Sequence, residues 1–251
     1  MLCLKSTGAL TMFCMIKDQI ESSFIRSMEV GYVKYKSSIR VCIVEFDVEH
    51  FRDTLFLDYM ISFTERPSTA VIKRRAEYLA GRIAAKRLLK KEGVICPVGM
   101  QSDRSPQWPL GWTGSITHSD KYAISIIAPK SEGVFLGVDM EKFNLKVIKY
   151  SWDISNVNWE KILESTGLEF HIALLITFSA KESLFKALYP LTGNYFGFDA
   201  ARILEIEEKS QTFTMELLVS LSKKFPIGSQ YRGNYKIYND YVITLISWGG
   251  I

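Results

Sequence analysis

Apolar and polar positions along the chain follow two rhythms. From Ile72 the apolar side chains recur at Ile72, Ala76, Leu79 and Ile83, a 4-3-4 spacing that predicts a helix with one buried face. Pro67-Ser68 opens it, Gly93 stops it, and Arg74, Arg82 and Lys86 fall on the opposite face. A second long helix is predicted from Glu169 to Tyr189, ending before Pro190. Between and after these helices the period shortens. Ile39–Val48, Trp112–His118, Tyr122–Ala128 and Val134–Glu141 read as strands, and so do Ala201–Glu207, Thr212–Val219, Tyr231–Tyr238 and Tyr241–Trp248. Gly111, Ser119-Asp120 and Ser131-Glu132-Gly133 supply turns, while Asn144–Gly167 is irregular, with room for a short helix.

Each half therefore supplies one long helix and several strands. The economical architecture is α+β, with two similar lobes: residues 30–133 and 134–251, preceded by an N-terminal extension over residues 1–29. The apolar run Gly8–Ile16 lies in that extension. It is too short to span a bilayer and lacks a small-residue cleavage site, so no membrane role is expected, and Met28 remains an alternative start.

Composition changes this picture little. The chain has 251 residues, 47% of them hydrophobic and 23% charged, which is ordinary for a globular protein. A formal charge of +4, spread along the chain apart from Lys73-Arg74-Arg75 and Lys86–Lys91, is too mild to argue for nucleic acid but suits an anionic ligand or an acidic partner. Cys3, Cys14, Cys42 and Cys96 stand far apart with no accompanying His cluster, which reads as reduced thiols in a cytoplasmic protein and excludes a zinc framework.

Candidate chemistry starts at Asp139 and Glu141. Residues two apart in a strand point to one side, and two carboxylates that close resist joint burial unless a cation lies between them. A solvated strand end is the bland explanation of such a pair. The second helix shifts the balance, because its apolar stripe reads Leu174 or Leu175, Phe178, Phe185 and Tyr189, and Glu182 falls where the stripe should continue. Lys186, one turn on, offers an ordinary i, i+4 partner. Together the three carboxylates make an all-oxygen set that suits Mg²⁺. The run Gly114-Ser-Ile-Thr-His118-Ser119 ends a strand with hydroxyls and an imidazole that can meet phosphate oxygens, and Arg74, Arg82 and Arg104 are candidates for a phosphate clamp. Taken singly, each arginine is also an ordinary solvated charge. Gly81, inside the first helix, permits a close approach by a ligand or a neighbour.

Four segments in one order resemble the 4′-phosphopantetheinyl transferases, in their larger two-lobed form. They are Lys73-Arg-Arg-Ala-Glu-Tyr-Leu-Ala-Gly-Arg82, Trp108-Pro109 through His118, Gly137-Val-Asp-Met-Glu141, and Phe178-Ser-Ala-Lys-Glu-Ser-Leu-Phe-Lys186. The resemblance implies pseudo-twofold lobes with the active site in a cleft between them. It implies transfer of the phosphopantetheine arm from coenzyme A to a serine of an acidic apo carrier protein, with release of 3′,5′-ADP. By the same comparison Asp139, Glu141 and Glu182 hold Mg²⁺, with Mn²⁺ as a substitute, and Glu182 is also the general base. Lys186 stabilises phosphate charge with help from Lys181; Arg74 and Arg82 grip the 3′-phosphate end; Arg104, Thr117 and His118 complete the coenzyme A site. A monomer is the default expectation. Two other readings stay open: a Mg²⁺-dependent nucleotide or phosphodiester hydrolase, and a binding module for coenzyme A or a carrier that has no turnover.

Overall fold

The computed structural model describes residues 12–62, 71–131, 134–144 and 166–249. It divides into two compact units, residues 1–131 and 132–251. Each unit pairs a five-stranded antiparallel sheet with one long helix, which places the protein in the α+β class.

In the first unit, strands β1 (Phe13–Asp18), β2 (Ile25–Val33) and β3 (Lys36–Phe46) are followed by a short helix α1 (Leu55–Asp58) and the long helix α2 (Ile72–Lys91). Two-residue strands β4 (Gly99–Met100) and β5 (Pro106–Gln107) lead into β6 (Trp112–Ser119) and β7 (Tyr122–Pro129). The main sheet runs β1-β2-β3-β7-β6. Helix α2 packs on β7 and β3 and closes a core that includes Phe24, Val44, Leu79, Ile83 and Leu88.

Three expectations change here. From Met12 onward the supposed N-terminal extension is part of the fold: β1 pairs with β2 from Phe13↔Val33 to Asp18↔Met28. It was illegible because β1 alternates poorly, with a burial pattern that leaves Ile16 exposed. On α2, Ile72 is exposed although Ala76, Leu79 and Ile83 are buried as their spacing predicts. Arg82, placed by periodicity on the outer face, is only 5% exposed. Ala76, Ala80, Gly81, Ala84 and Ala85 are all buried, so the helix sinks far enough for its buried arc to exceed one stripe. A Cβ on Gly81 would lie 2.7 Å from the Ile116 side chain, so the close approach it permits is to β6. Pro67-Ser68 lies outside the described residues.

In the second unit β8 (Phe135–Lys142) precedes α3 (Phe170–Thr192), and β9 (Ala201–Glu207), β10 (Thr212–Leu217), β11 (Gln230–Tyr238) and β12 (Tyr241–Trp248) follow. The sheet order is β8-β12-β11-β10-β9, and α3 lies across β8 and β12. Helix α3 runs through Pro190 to Thr192, where Gly193 closes it in the left-handed conformation and its N–H bonds the Tyr189 carbonyl at 2.9 Å. A proline in the last turn deletes one helical bond, which the cap tolerates. Most of the irregular Asn144–Gly167 segment lies outside the described residues.

Candidate active site

Close contact between α3 and β8 builds the first cluster. A side chain at Gly137 would run into the Ser183 carbonyl, so only glycine lets the helix backbone rest on the strand. Period-2 alternation then points Asp139 and Glu141 toward α3 as well. Asp139 is 2% exposed, and both of its oxygens are engaged. Ser179 donates to Oδ2 at 2.9 Å, and the Lys186 ammonium donates to Oδ1 at 2.6 Å. Thr244, opposite Asp139 in the β8–β12 register, lies 2.9 Å from Ser179 Oγ and 2.7 Å from Ser183 Oγ. Ser179, Ser183 and Lys186 follow a helical 4-then-3 spacing, which brings all three to the strand-facing side.

Glu141 and Glu182 complete the electrostatic field. Burial, then the Asp139 charge, then Glu182 push the Glu141 carboxyl up to about 8 against the opposing pull of Lys186. Burial and Asp139 likewise raise Glu182, again opposed by Lys186. Lys186 thus acts on more than the i, i+4 partner that its spacing offered. Among the described residues no group of three or more His, Cys, Asp or Glu side chains closes into a metal cage. The expected three-carboxylate set shares one field without forming a ready-made shell, because Asp139 is turned onto Lys186 and Ser179. Its chemistry nevertheless fits a hard divalent cation: the donors are all carboxylate oxygens, and burial first, then the Asp139 charge, raise two of the three carboxyls despite Lys186.

The stripe that singled out Glu182 takes a different form. The core face of α3 is Leu175, Ile176, Ala180, Leu184, Ala187 and Leu188, whereas Phe178, Phe185 and Tyr189 are half-buried. Phe178 stacks on Phe198, and Phe185 meets Tyr189, Tyr195 and Phe196, all with centroids 5.1–5.3 Å apart. Glu182 therefore lies on an aromatic border beside a cavity of about 140 Å³ lined by Lys181, Phe185, Tyr195 and Phe198. Lys181 is 5% exposed, donates to the Phe198 carbonyl at 2.7 Å, and burial drives its amine down to about 8. That bond ties α3 to the segment before β9.

In the first unit two of the expected residues, Arg74 and His118, gather around Glu77, which the sequence did not mark. Arg74 Nη1 donates to His118 Nε2 at 2.8 Å and lies 3.5 Å from the Glu77 carboxylate, and His118 Nδ1 is 3.4 Å from the same carboxylate. Because a guanidinium can only donate, His118 Nε2 accepts, and its proton resides on Nδ1 facing Glu77. Glu77 is 8% exposed, a nearly buried carboxylate holding a largely exposed arginine. Its signal was available: it follows Arg74 by one helical turn. Arg82 carries its guanidinium 4.8 Å from the Tyr78 ring, and its buried Nε has no hydrogen-bond partner among the described residues. Arg104 is exposed in a turn at φ 73°. Thr117 does not join His118: neighbours on a strand face opposite ways, and Ile116 and His118 are the ones that meet α2.

Comparison with known proteins adds the family. Residues 63–128 match the model of the 4′-phosphopantetheinyl transferase N-terminal domain, and residues 135–246 match that of the 4′-phosphopantetheinyl transferase superfamily. Enterobactin synthase component D of Salmonella typhi is 36% identical over 171 residues, covering 66% of this chain and 69% of that protein. The 4′-phosphopantetheinyl transferase Npt of Nocardia iowensis is 31% identical over 189 residues, covering 71% of this chain and 84% of its own length. The 4′-phosphopantetheinyl transferase Svp of Streptomyces mobaraensis is 34% identical over 157 residues, covering 60% and 62% respectively.

Proposed function

The chain belongs to the 4′-phosphopantetheinyl transferase superfamily, in its larger form, as an enzyme of that transferase class, and from this premise we propose that it moves the 4′-phosphopantetheine arm of coenzyme A onto a serine of an apo carrier protein, releasing 3′,5′-ADP. The observation that carries this reading is the buried Asp139–Lys186 pair flanked by Glu141 and Glu182. Transfer of a phosphate-linked group rests on positioning and charge neutralisation more than on covalent work by the protein, and these residues are suited to both.

In this reading Glu182 takes the proton of the carrier serine. Burial first, and then the Asp139 charge, raise that carboxyl against the pull of Lys186, and a raised carboxyl is the stronger base. The serine oxygen then attacks phosphorus of the donor pyrophosphate, and the bond to 3′,5′-ADP breaks. Lys186 offsets the charge that builds on the phosphate oxygens. Asp139, Glu141 and Glu182 would hold a divalent cation, Mg²⁺ or Mn²⁺, which supplies Lewis-acid charge to the pyrophosphate. Arg74, Arg82 and His118 take the 3′-phosphate end of coenzyme A, with Arg104 contributing positive charge. Arg82, 5% exposed with its guanidinium 4.8 Å from the Tyr78 ring, would bring a firmly held positive charge to that end. The overall charge of +4 favours an acidic carrier partner.

The test incubates the protein with coenzyme A, Mg²⁺ and a panel of apo carrier proteins and weighs the products. A gain of about 340 Da on the carrier serine is expected, the mass of one transferred arm. Coenzyme A cleaved with no gain on any carrier would replace transfer with hydrolysis.

A further inference from the structure

Asp139 is held by more than Lys186. Ser179, Ser183 and Thr244 form a hydroxyl chain behind it, and all three are fully buried at 0% exposure. Its proton order follows from elementary valence. A carboxylate accepts, so the one Ser179 hydroxyl proton goes to Asp139 Oδ2 across 2.9 Å. Ser179 Oγ must then accept from Thr244 Oγ1, also at 2.9 Å. Ser183 donates to the Thr244 carbonyl at 3.1 Å, and its Oγ lies 2.7 Å from Thr244 Oγ1. Donation therefore runs from Thr244 through Ser179 into Asp139, with Ser183 closing the back of the chain. A chain ordered like this strengthens each link in turn, and it is costly to break inside a dry site.

We propose that Ser179 and Thr244 are positioning residues for the reacting site. They fix Asp139 with Oδ2 turned into the α3–β12 seam and Oδ1 presented beside Lys186, where a divalent cation and phosphate charge are handled. Both hydroxyls are fully buried and act through Asp139. Helix α3 and strand β12 supply one each, so the orientation of Asp139 is set by the packing of three elements. This proposal rests on the assignment of Asp139 to the metal site made above.

The experiment compares the full chain with Thr244→Val, Thr244→Ser, Ser179→Ala and Asp139→Ala. Mn²⁺ affinity is read by electron paramagnetic resonance without carrier, and the Mg²⁺ concentration for half-maximal transfer is read with carrier. Thr244→Val and Ser179→Ala should each weaken Mn²⁺ binding about 10-fold and raise the Mg²⁺ requirement by a similar factor, as loss of a partner behind a metal ligand does. Thr244→Ser keeps the hydroxyl and should stay within about 2-fold of wild type. If Thr244→Val fails to fold by its melting profile, Ser179→Ala carries the test. Wild-type Mn²⁺ affinity in Ser179→Ala, or in a folded Thr244→Val, overturns the proposal alone. A wild-type chain that binds Mn²⁺ no better than Asp139→Ala overturns the metal assignment and the proposal with it.

Discussion

The Arg74–Glu77–His118 cluster and the Asp139–Ser179–Thr244–Lys186 cluster are both built where a long helix crosses a strand, yet they differ in exposure. The Arg74 side chain is 63% exposed and that of His118 is 25%, whereas that of Asp139 is 3%. The first cluster turns its charges outward on one nearly buried carboxylate. In the second, a carboxylate is locked from both sides by a lysine and a serine. An exposed arginine gains most of its value from the ligand it meets, while a buried carboxylate loses much if any partner goes. Substitutions in the two clusters should therefore differ in kind as well as in size.

The largest effect belongs to the buried cluster. Asp139→Ala and Glu182→Ala should each lower transfer to a carrier at least about 100-fold, or about 3 kcal/mol of barrier, in single-turnover mass spectrometry. A wild-type rate in Asp139→Ala would end the contrast, since the locked carboxylate would then be mere scaffold. Next comes Gly137→Ala, which leaves every charged group intact but pushes a methyl into the Ser183 carbonyl. It should cost about 1–3 kcal/mol in denaturant unfolding, with lost transfer as the secondary result. A neutral Gly137→Ala would mean that α3 can slide on β8 and that Asp139 is not held by the helix contact.

The exposed cluster should respond more gently. Arg74→Ala should raise the KM for coenzyme A about 10-fold with little change in kcat, because it removes one charge-assisted contact shared by ground and transition states. With 3′-dephospho-coenzyme A as donor the same variant should match wild type. An equal loss on both donors would move Arg74 away from the 3′-phosphate. Glu77→Gln should shift KM in the same direction by less, since it loosens Arg74 and His118 without deleting either.

What the sequence made legible follows from how local each signal is. Both long helices, and the strands now labelled β3, β6, β7, β8, β9, β10, β11 and β12, carry period signals within a few residues, and all were expected close to their observed limits. β1 and β2 were missed because β1 draws its meaning from pairing and from Asp18 reaching α2, which no short window contains. The same-side placement of Asp139 and Glu141 was legible from alternation. That rule should also have separated Thr117 from His118, but the hydroxyl-rich motif was read as one pocket. Ser179 and Thr244 were out of reach: they stand 65 residues apart, and only the register of β12 on β8 brings them together. Arg82 looked like a surface charge because periodicity assigns faces, not depth, and the small residues around it let α2 sink.

The smallest effect tests whether paired charges outside both clusters matter to the fold alone. Asp18 on β1 takes a two-pronged contact from Arg87 at 2.7 and 2.6 Å, with Lys91 at 3.3 Å. Arg87 in first place, with Lys91 assisting and burial opposing, holds its carboxyl down at about 2 against an ordinary 3.8. A carboxyl depressed by folding stabilises the folded state at every pH above its unfolded value, and that contribution drains away as pH falls from about 4 toward 2. Part of the pair is open to water, with the Arg87 side chain 31% and that of Lys91 43% exposed, so screening trims the full linkage value to about 1 kcal/mol. Asp18→Asn should therefore be about 1 kcal/mol less stable than wild type at pH 7, the gap closing near pH 2, while transfer at saturating coenzyme A stays unchanged. A gap that persisted at pH 2 would trace the loss to packing at β1, and a fall in transfer would show that β1 does more than complete the sheet.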